Sequence, residues 1–445
     1  MRRTLQHPAR IVPLAFLGVI AIGTVLLLLP VSRREPGAAS FMTALFTATS
    51  AICTTGLSPV DTATYWSDFG HVMLALLTQV GGYGIATMAT LLSLLVSQRL
   101  GLRSRLMARA ETSAGLALGE VRTVLVLAAI VMFASEAVIA AIVAGRLWLV
   151  YDVPLGSALW EGVFNAVQAF NNSGFSLRGD GLFGFVGDWW ICLPLALGVI
   201  VGGLGVPVLY ELIRQLRRPA AWSTHTWLTV WGSLVLLVVG FVTVLAFEWT
   251  NPGTLGPLNV GEKILAAFVQ GTIPRSGGFN TVDYGAMDAD TTAVITGLMF
   301  VGGGSASTAG GIKVTTFFLL AYVIWTEVRG ERDVVIGRRR IAESTQRQAT
   351  TVALLGVATV AGGTLALLAL TSGVPMDQAL FEVMSAFSTA GITVGLTARL
   401  GDAGQIVMIV LMFIGRVGPI AVASALALNT RHRLYRYPEE RPIVG

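Results

Sequence analysis

At 445 residues, with 54% hydrophobic and 12% charged side chains and a mean hydropathy of +0.72, the chain lies far from soluble globular composition and reads as an integral membrane protein. Two cysteines and four histidines without ligand spacing exclude a disulfide framework and a zinc centre. The net charge of +5 belongs to membrane topology and not to nucleic-acid binding, because the basic residues cluster between apolar runs.

The first apolar run begins near Ile11 behind Arg2, Arg3 and Arg10; its length and the lack of a small-residue cleavage site make it a retained helix instead of a signal peptide. The full set of expected spans is 11–31, 68–97, 121–144, 188–213, 226–249, 290–328, 349–372 and 405–430, each near or above the roughly 20 residues that cross a bilayer. They come in pairs. Within each pair lies a connection too long for a plain turn, holding a shorter apolar stretch. The N-terminus, 98–122, 213–225, 326–348 and the C-terminal tail carry 21 of the 30 basic residues, whereas the connections within pairs, with the span ends that border them, carry 7 basic and 15 of the 25 acidic ones. The positive-inside rule places both termini in the cytoplasm of a multi-pass inner (cytoplasmic) membrane protein and leaves an acidic outer face that concentrates cations.

The four connections within pairs repeat one another. Phe46 stands ten positions before Gly56 in ALFTATSAICTTGLSPVD, as Phe164 does before Gly174, Phe268 before Gly278 and Phe381 before Gly391. The expected architecture is all-α: a single transmembrane pore domain over 1–445, built from repeats 11–97, 121–213, 226–328 and 349–430, with a cytoplasmic tail at 431–445. Each repeat reads as span, short helix of about ten residues, glycine elbow, span. Irregular backbone at membrane depth is tolerated only where it is buried in protein or lines water. Four such units about a pseudo-fourfold axis would aim the negative ends of four short helices, and the carbonyls of four elbows, at a passing cation. The expected filter residues are Cys53, Thr54, Thr55 and Gly56; Asn172, Ser173 and Gly174; Ser276, Gly277 and Gly278; and Thr389, Ala390 and Gly391. Asn171 and Arg275 flank them with open roles. Gly81, Gly82, Gly202, Gly203 and Gly205 read as helix-packing glycines.

The stretch GGGSASTAGG, 302–311, sits inside the sixth span, where five glycines in ten residues break a helix. It is not a phosphate loop, because Lys313 follows Ile312 and no hydroxyl residue follows the lysine. It reads as a flexible gate below the filter comprising Gly302, Gly303, Gly304, Ser305, Gly310, Gly311 and Lys313, against a plain packing kink as the other reading. Arg416 falls mid-span, where a charge costs about 2.5–3.5 kcal/mol on insertion scales. It serves either as an electrostatic brake beneath the filter or in an ion pair, with Glu136 a conceivable partner. Glu161 and Glu382 read as carboxylates near the starts of short helices, favouring the positive dipole end. No catalytic constellation is present, so no enzyme is expected.

The repeats, with CTTGL (53–57), NNSGF (171–175), RSGGF (275–279) and STAGI (388–392), resemble the Trk/Ktr/HKT superfamily of cation transporters over nearly the whole chain. GGGSASTAGGIKVTTF (302–317) and GRVGP (415–419) resemble its Ktr-type pore subunits, the KtrB type. The resemblance implies four M1–P–M2 units, potassium uptake, a gate at 302–311 and an arginine beneath the filter. Gly56, where some plant relatives carry serine and favour sodium, puts this sequence on the potassium side. It further implies a homodimer and a separate cytosolic regulatory ring, KtrA-like, that binds ATP or ADP, and it leaves sodium as an activating ion open. The basic segments 329–347 and 431–445 read either as solvated loops against anionic lipid or as the contact for that ring. An alternating-access secondary cation transporter is the competing class; such folds show inverted repeats, whereas all four units here share one polarity.

Overall fold

The computed structural model describes residues 8–98, 118–337 and 339–428. Fourteen helices of ten residues or more follow one another in the described chain: α1 (Pro8–Leu28), α2 (Phe41–Ile52), α3 (Asp68–Gln98), α4 (Leu118–Val150), α5 (Leu155–Phe170), α6 (Trp189–Leu204), α7 (Val206–Gln215), α8 (Thr224–Phe247), α9 (Val260–Thr272), α10 (Ala289–Phe300), α11 (Val314–Val328), α12 (Glu343–Leu370), α13 (Met376–Ser388) and α14 (Asp402–Leu428). One hairpin departs from the all-α expectation, with β1 (Val335–Ile336) pairing antiparallel to β2 (Arg339–Arg340) around the left-handed Gly337.

Among the described residues, Val126–Val150, Thr224–Phe247, Glu343–Leu370 and Asp402–Pro419 are each long and apolar enough to cross a bilayer. The pair α6 and α7 passes the same test together, but bends by 101° between its halves. α4, α8 and α12 turn Ile130, Phe133, Val235, Val238, Leu354 and Leu365 outward. In water such faces would be costly; in lipid they are the expected exterior, and helix association rests on close packing instead.

The short helices are α2, α5, α9 and α13, of 12, 16, 13 and 13 residues. They exceed the expected ten because their starts are set by caps well before the phenylalanine register. The Ser40 hydroxyl accepts from the Thr43 amide, Asn259 and Glu262 form a capping box, and Pro154 and Pro375 precede α5 and α13. Phe46, Phe164 and Phe381 are wholly buried and Phe268 partly so, which makes the repeated phenylalanine a packing key between short helix and spans.

Contacts between the units close a ring. α3 packs on α5, α6 on α9, α10 on α13, and α14 on α2, so each unit's second span supports the next unit's short helix. Two of these second spans are interrupted. The segment 188–213, expected as one span with packing glycines, breaks at Gly205, whose φ of +90° no helix accommodates, with Pro207 two residues on. The segment 290–328 opens over 301–313, as the glycine run predicts.

Candidate functional site

The four short helices end alike. After α2, α5 and α13 the chain turns left-handed at Thr54, Asn172 and Thr389, with φ of 49°, 58° and 50°. The next amide reaches back to close the helix, from Thr55 to the Ser50 carbonyl, from Ser173 to Gln168 and from Ala390 to Ser385, at 2.8–2.9 Å. After α9 a short 3₁₀ turn intervenes and Ser276 takes the left-handed position, at φ 89°. Non-glycine residues in this region cost about 1–3 kcal/mol each. Their side chains offset it by tying neighbouring units: Thr54 Oγ1 donates to the Thr308 carbonyl at 3.3 Å, and Ser276 Oγ to the Thr389 carbonyl at 2.8 Å.

Two residues later stand Gly56, Gly174, Gly278 and Gly391, all with φ between +72° and +93°. They meet one another. A Cβ on Gly56 would lie 1.7 Å from the Ser173 carbonyl oxygen, one on Gly391 1.9 Å from that of Thr55, and one on Gly278 2.1 Å from that of Ser173. One on Gly174 would fall 2.2 Å from the Gly278 Cα and 2.7 Å from the Gly277 oxygen. The elbows therefore converge at the centre of the bundle, and carbonyls preceding three of the four glycines face the neighbouring unit. Thr55 Oγ1, both amide atoms of Asn172 and Ser173 Oγ are buried there without a partner in the protein. An unpaired buried polar group costs about 1–3 kcal/mol, so such a cluster fits a place that water or an ion shares. Cys53 and Ala390 are buried within the same elbows.

Directly behind this level lies the link 301–313. Its ends pair as a short parallel bridge, Val301 with Ile312, and the Gly302 amide donates to the Ile312 carbonyl at 2.9 Å. Glycines let it lie flat against main chain: a Cβ on Gly303 would meet the Gly203 carbonyl at 2.4 Å, one on Gly304 that of Leu204 at 2.4 Å, and one on Gly310 Thr389 Oγ1 at 2.2 Å. Ser305 bonds Thr315, and Gly311 sits against Ser388. Gly205, read from sequence as a packing position, borders the Ser305 carbonyl at the break between α6 and α7, whereas Gly81, Gly82 and Gly202 do pack, against Ile52, Asn171 and Phe170.

Arg416 is 3% exposed, and its Nη1 donates to the Thr308 carbonyl, the same oxygen that Thr54 reaches; Nε and Nη2 have no partner. It does not pair with Glu136. That carboxylate accepts from Gln79 at 3.0 Å and from Asn171 at 3.2 Å, a polar knot between α3, α4 and the end of α5. Lys313 stands immediately before α11 without capping it, and its Nζ donates to the Ala309 carbonyl at 2.5 Å. Arg275 ties the third elbow to α8 and to the link, donating to the Ser233 carbonyl and hydroxyl at 3.1 Å and to the Gly302 carbonyl at 3.2 Å.

Two carboxylates act otherwise than expected. Glu161 lies in the middle of α5 and pairs with Arg178 beyond the elbow, at 2.5 Å. Glu382, wholly buried in the middle of α13, accepts from the hydroxyls of Thr393 and Thr397 and from the amides of Val394 and Leu396, pinning the chain that leaves the fourth elbow. Neither is a cap. Thr308 was not among the expected residues; the sequence signal was a hydroxyl at the centre of a glycine-rich run.

A model of the TrkH family, described as a cation transport protein, matches residues 2–431. The chain is 38% identical over 441 residues to the Ktr system potassium uptake protein B of Bacillus subtilis, spanning 98% of this chain and 97% of that one. It is 36% identical to the Ktr system potassium uptake protein B of Vibrio alginolyticus, over 98% of this chain and 94% of the relative. To the potassium/sodium uptake protein NtpJ of Enterococcus hirae it is 31% identical, over 98% and 97%. The crystal structure of the potassium transporter TrkH from Vibrio parahaemolyticus matches with a TM-score of 0.70, over 93% of this chain and 83% of that one; at 17% identity the likeness concerns the fold.

Proposed function

We propose, because the chain belongs to the TrkH family of cation transport proteins, that it takes potassium into the cell through a central pore made of four M1–P–M2 units. The units are 11–97, 121–213, 226–328 and 349–430 of one transmembrane domain, with eight spans about a pseudo-fourfold axis and both termini, including the tail 431–445, in the cytoplasm. Potassium is the favoured ion because the relatives from Bacillus subtilis and Vibrio alginolyticus are named for its uptake; the name of NtpJ, which covers sodium as well, supports sodium as a second or activating ion.

In this reading the carbonyls of Cys53–Gly56, Asn172–Gly174, Ser276–Gly278 and Thr389–Gly391 replace the water shell of the ion. The negative ends of α2, α5, α9 and α13 favour its charge without a fixed carboxylate that would trap it. The carrying observation is that four elbows, far apart in sequence, close on one another with glycine at every contact. The link 301–313 is the gate. It is held across the path by Thr54, Arg275 and Arg416, with Lys313 bracing it from within, and the Arg416 guanidinium acts as a brake on cation flow. A second copy of the chain and a KtrA-like cytosolic ring carrying ATP or ADP complete the system; the relatives' names, as one protein of a Ktr system, support such a partner.

The test is growth of a potassium-starved, transport-deficient bacterium expressing the chain, together with rubidium uptake into vesicles. Rescue with diffusive, selective uptake is expected, and Gly56→Ser, whose Cβ would fall 1.7 Å from the Ser173 carbonyl oxygen, should abolish it. Saturable exchange at fixed stoichiometry, without diffusive flow, would assign the chain to the alternating-access class.

A further inference from the structure

A narrow, partly open recess lies beside the link 301–313. Its walls come from α3, α4, the break between α6 and α7, and the link itself, with Ala128, Met132, Leu209, Tyr210, Ala306 and Thr308 among the lining residues. The lining is mostly apolar, and the adjacent face of α4 turns Ile130 and Phe133 outward where lipid would lie. The recess therefore lies between α4, whose outer face is apolar, and the back of the link 301–313.

α7 forms one rim. It leaves α6 at 101°, which turns its axis toward the membrane plane, on the side of the bundle away from the acidic connections. One face contributes Val206, Leu209 and Tyr210 to the recess. The last turn carries Arg214, whose guanidinium stacks 4.3 Å from the Tyr210 ring centre, and Arg217 and Arg218 follow, all exposed. Ile213 and Leu216 are more than 60% exposed between them. The neighbouring Glu211 accepts from the Ser223 amide and hydroxyl at 2.7 and 2.6 Å and from Thr226, and makes no ion pair with these arginines among the described residues. Apolar side chains and arginines without an ion pair among the described residues, on one short helix bent sharply from the span before it, are the marks of a lipid-facing element.

We propose that an anionic phospholipid occupies this place, its headgroup on Arg214, Arg217 and Arg218 and one acyl chain in the recess against Ala306–Thr308. The chain would hold the link where the Thr308 carbonyl meets Thr54 and Arg416, so lipid composition sets the equilibrium of the gate. This rests on the reading of 301–313 as a gate; the occupancy of the recess does not.

The experiment uses the full chain in phosphatidylcholine vesicles with a minor share of phosphatidylglycerol bearing a diazirine near its acyl end. Photolabelling should fall on Met132, Leu209 and their neighbours and exceed that of a phosphatidylcholine probe severalfold. Ala128→Trp, which fills the recess, should abolish it, and Arg214→Gln with Arg217→Gln and Arg218→Gln should remove the headgroup preference. Rubidium uptake should change at least threefold with phosphatidylglycerol content in the wild type and stay constant in Ala128→Trp. If that variant loses thermal stability, Leu209→Phe serves in its place. Labels confined to Ile130, Phe133 and other outward side chains, at equal yield for both probes, would overturn the proposal while leaving potassium uptake intact. Labelled recess residues in a chain that conducts nothing would instead overturn the transport reading and keep the lipid site.

Discussion

The elbows and the link 301–313 lie one behind the other at the bundle centre, and side chains have a larger share in holding the second than the first. At the elbows main chain meets main chain, with each glycine facing a backbone atom of another unit so closely that no side chain fits. The link also rests on main chain, its Gly304 amide on the Gly203 carbonyl at 2.8 Å and its Thr308 amide on that of Gly202 at 3.3 Å, but side chains reach it from elsewhere as well: Thr54 from the first elbow, Arg275 from the third, Arg416 from α14. Steric contact fixes the first layer; a few hydrogen bonds, each worth about 0.5–3 kcal/mol, fix the second. On the function proposed above, the layer that matches an ion's size is thereby rigid, and the layer that moves has bonds that can be released singly.

The largest effect should come from disturbing the rigid layer. Gly56→Ala puts a methyl group 1.7 Å from the Ser173 oxygen at a φ of +93°, and rubidium uptake should fall about 100-fold, in line with some 3 kcal/mol of local strain. Gly174→Ala should do the same, and near-normal uptake by either would erase the contrast between the layers. Arg416→Ala should act in the opposite direction. Losing a charged bond to the Thr308 carbonyl, and the cation itself, should raise uptake about tenfold, with lysine intermediate. Slower uptake by a variant of unchanged thermal stability would show that Arg416 is no brake. Thr308→Val keeps the shape of the link and removes one bond, Thr308 Oγ1 to the Phe170 carbonyl at 3.2 Å; uptake should rise about threefold. The smallest change in flux is expected of Glu382→Gln, which weakens the clamp on residues 393–397. Its thermal midpoint should drop by about 2–4 °C with uptake near normal, and lost uptake at unchanged stability would place Glu382 on the ion path.

The sequence made the elbows legible because glycine, phenylalanine and their ten-residue offset are local facts that recur four times. Gly302–Gly311 was legible for the same reason, since a glycine run cannot stay helical in isolation. The bend at Gly205 escaped because one glycine in an apolar run is ordinary in membrane helices; Pro207 beside it was the overlooked sign. Glu161 and Glu382 were misread as caps because their partners, Arg178 and the stretch Thr393–Thr397, lie beyond the elbow and become neighbours only after the chain turns back. The pairing of Arg416 with a carbonyl instead of Glu136 was likewise settled by which side of the bundle each residue faces.

Four elbows share the centre, but Lys313 and Arg416 each occur once, and the glycine-rich link interrupts a single unit. In a ring of four identical subunits every substitution arrives fourfold, and a charge large enough to slow an ion in one copy would block it in four. Fusion of the units into one polypeptide lifts that constraint. The two units that hold the link and Arg416 can vary while the other two are kept, so that, on the function proposed above, the sensitivity of the doorway can drift during evolution without touching the part that recognises the ion.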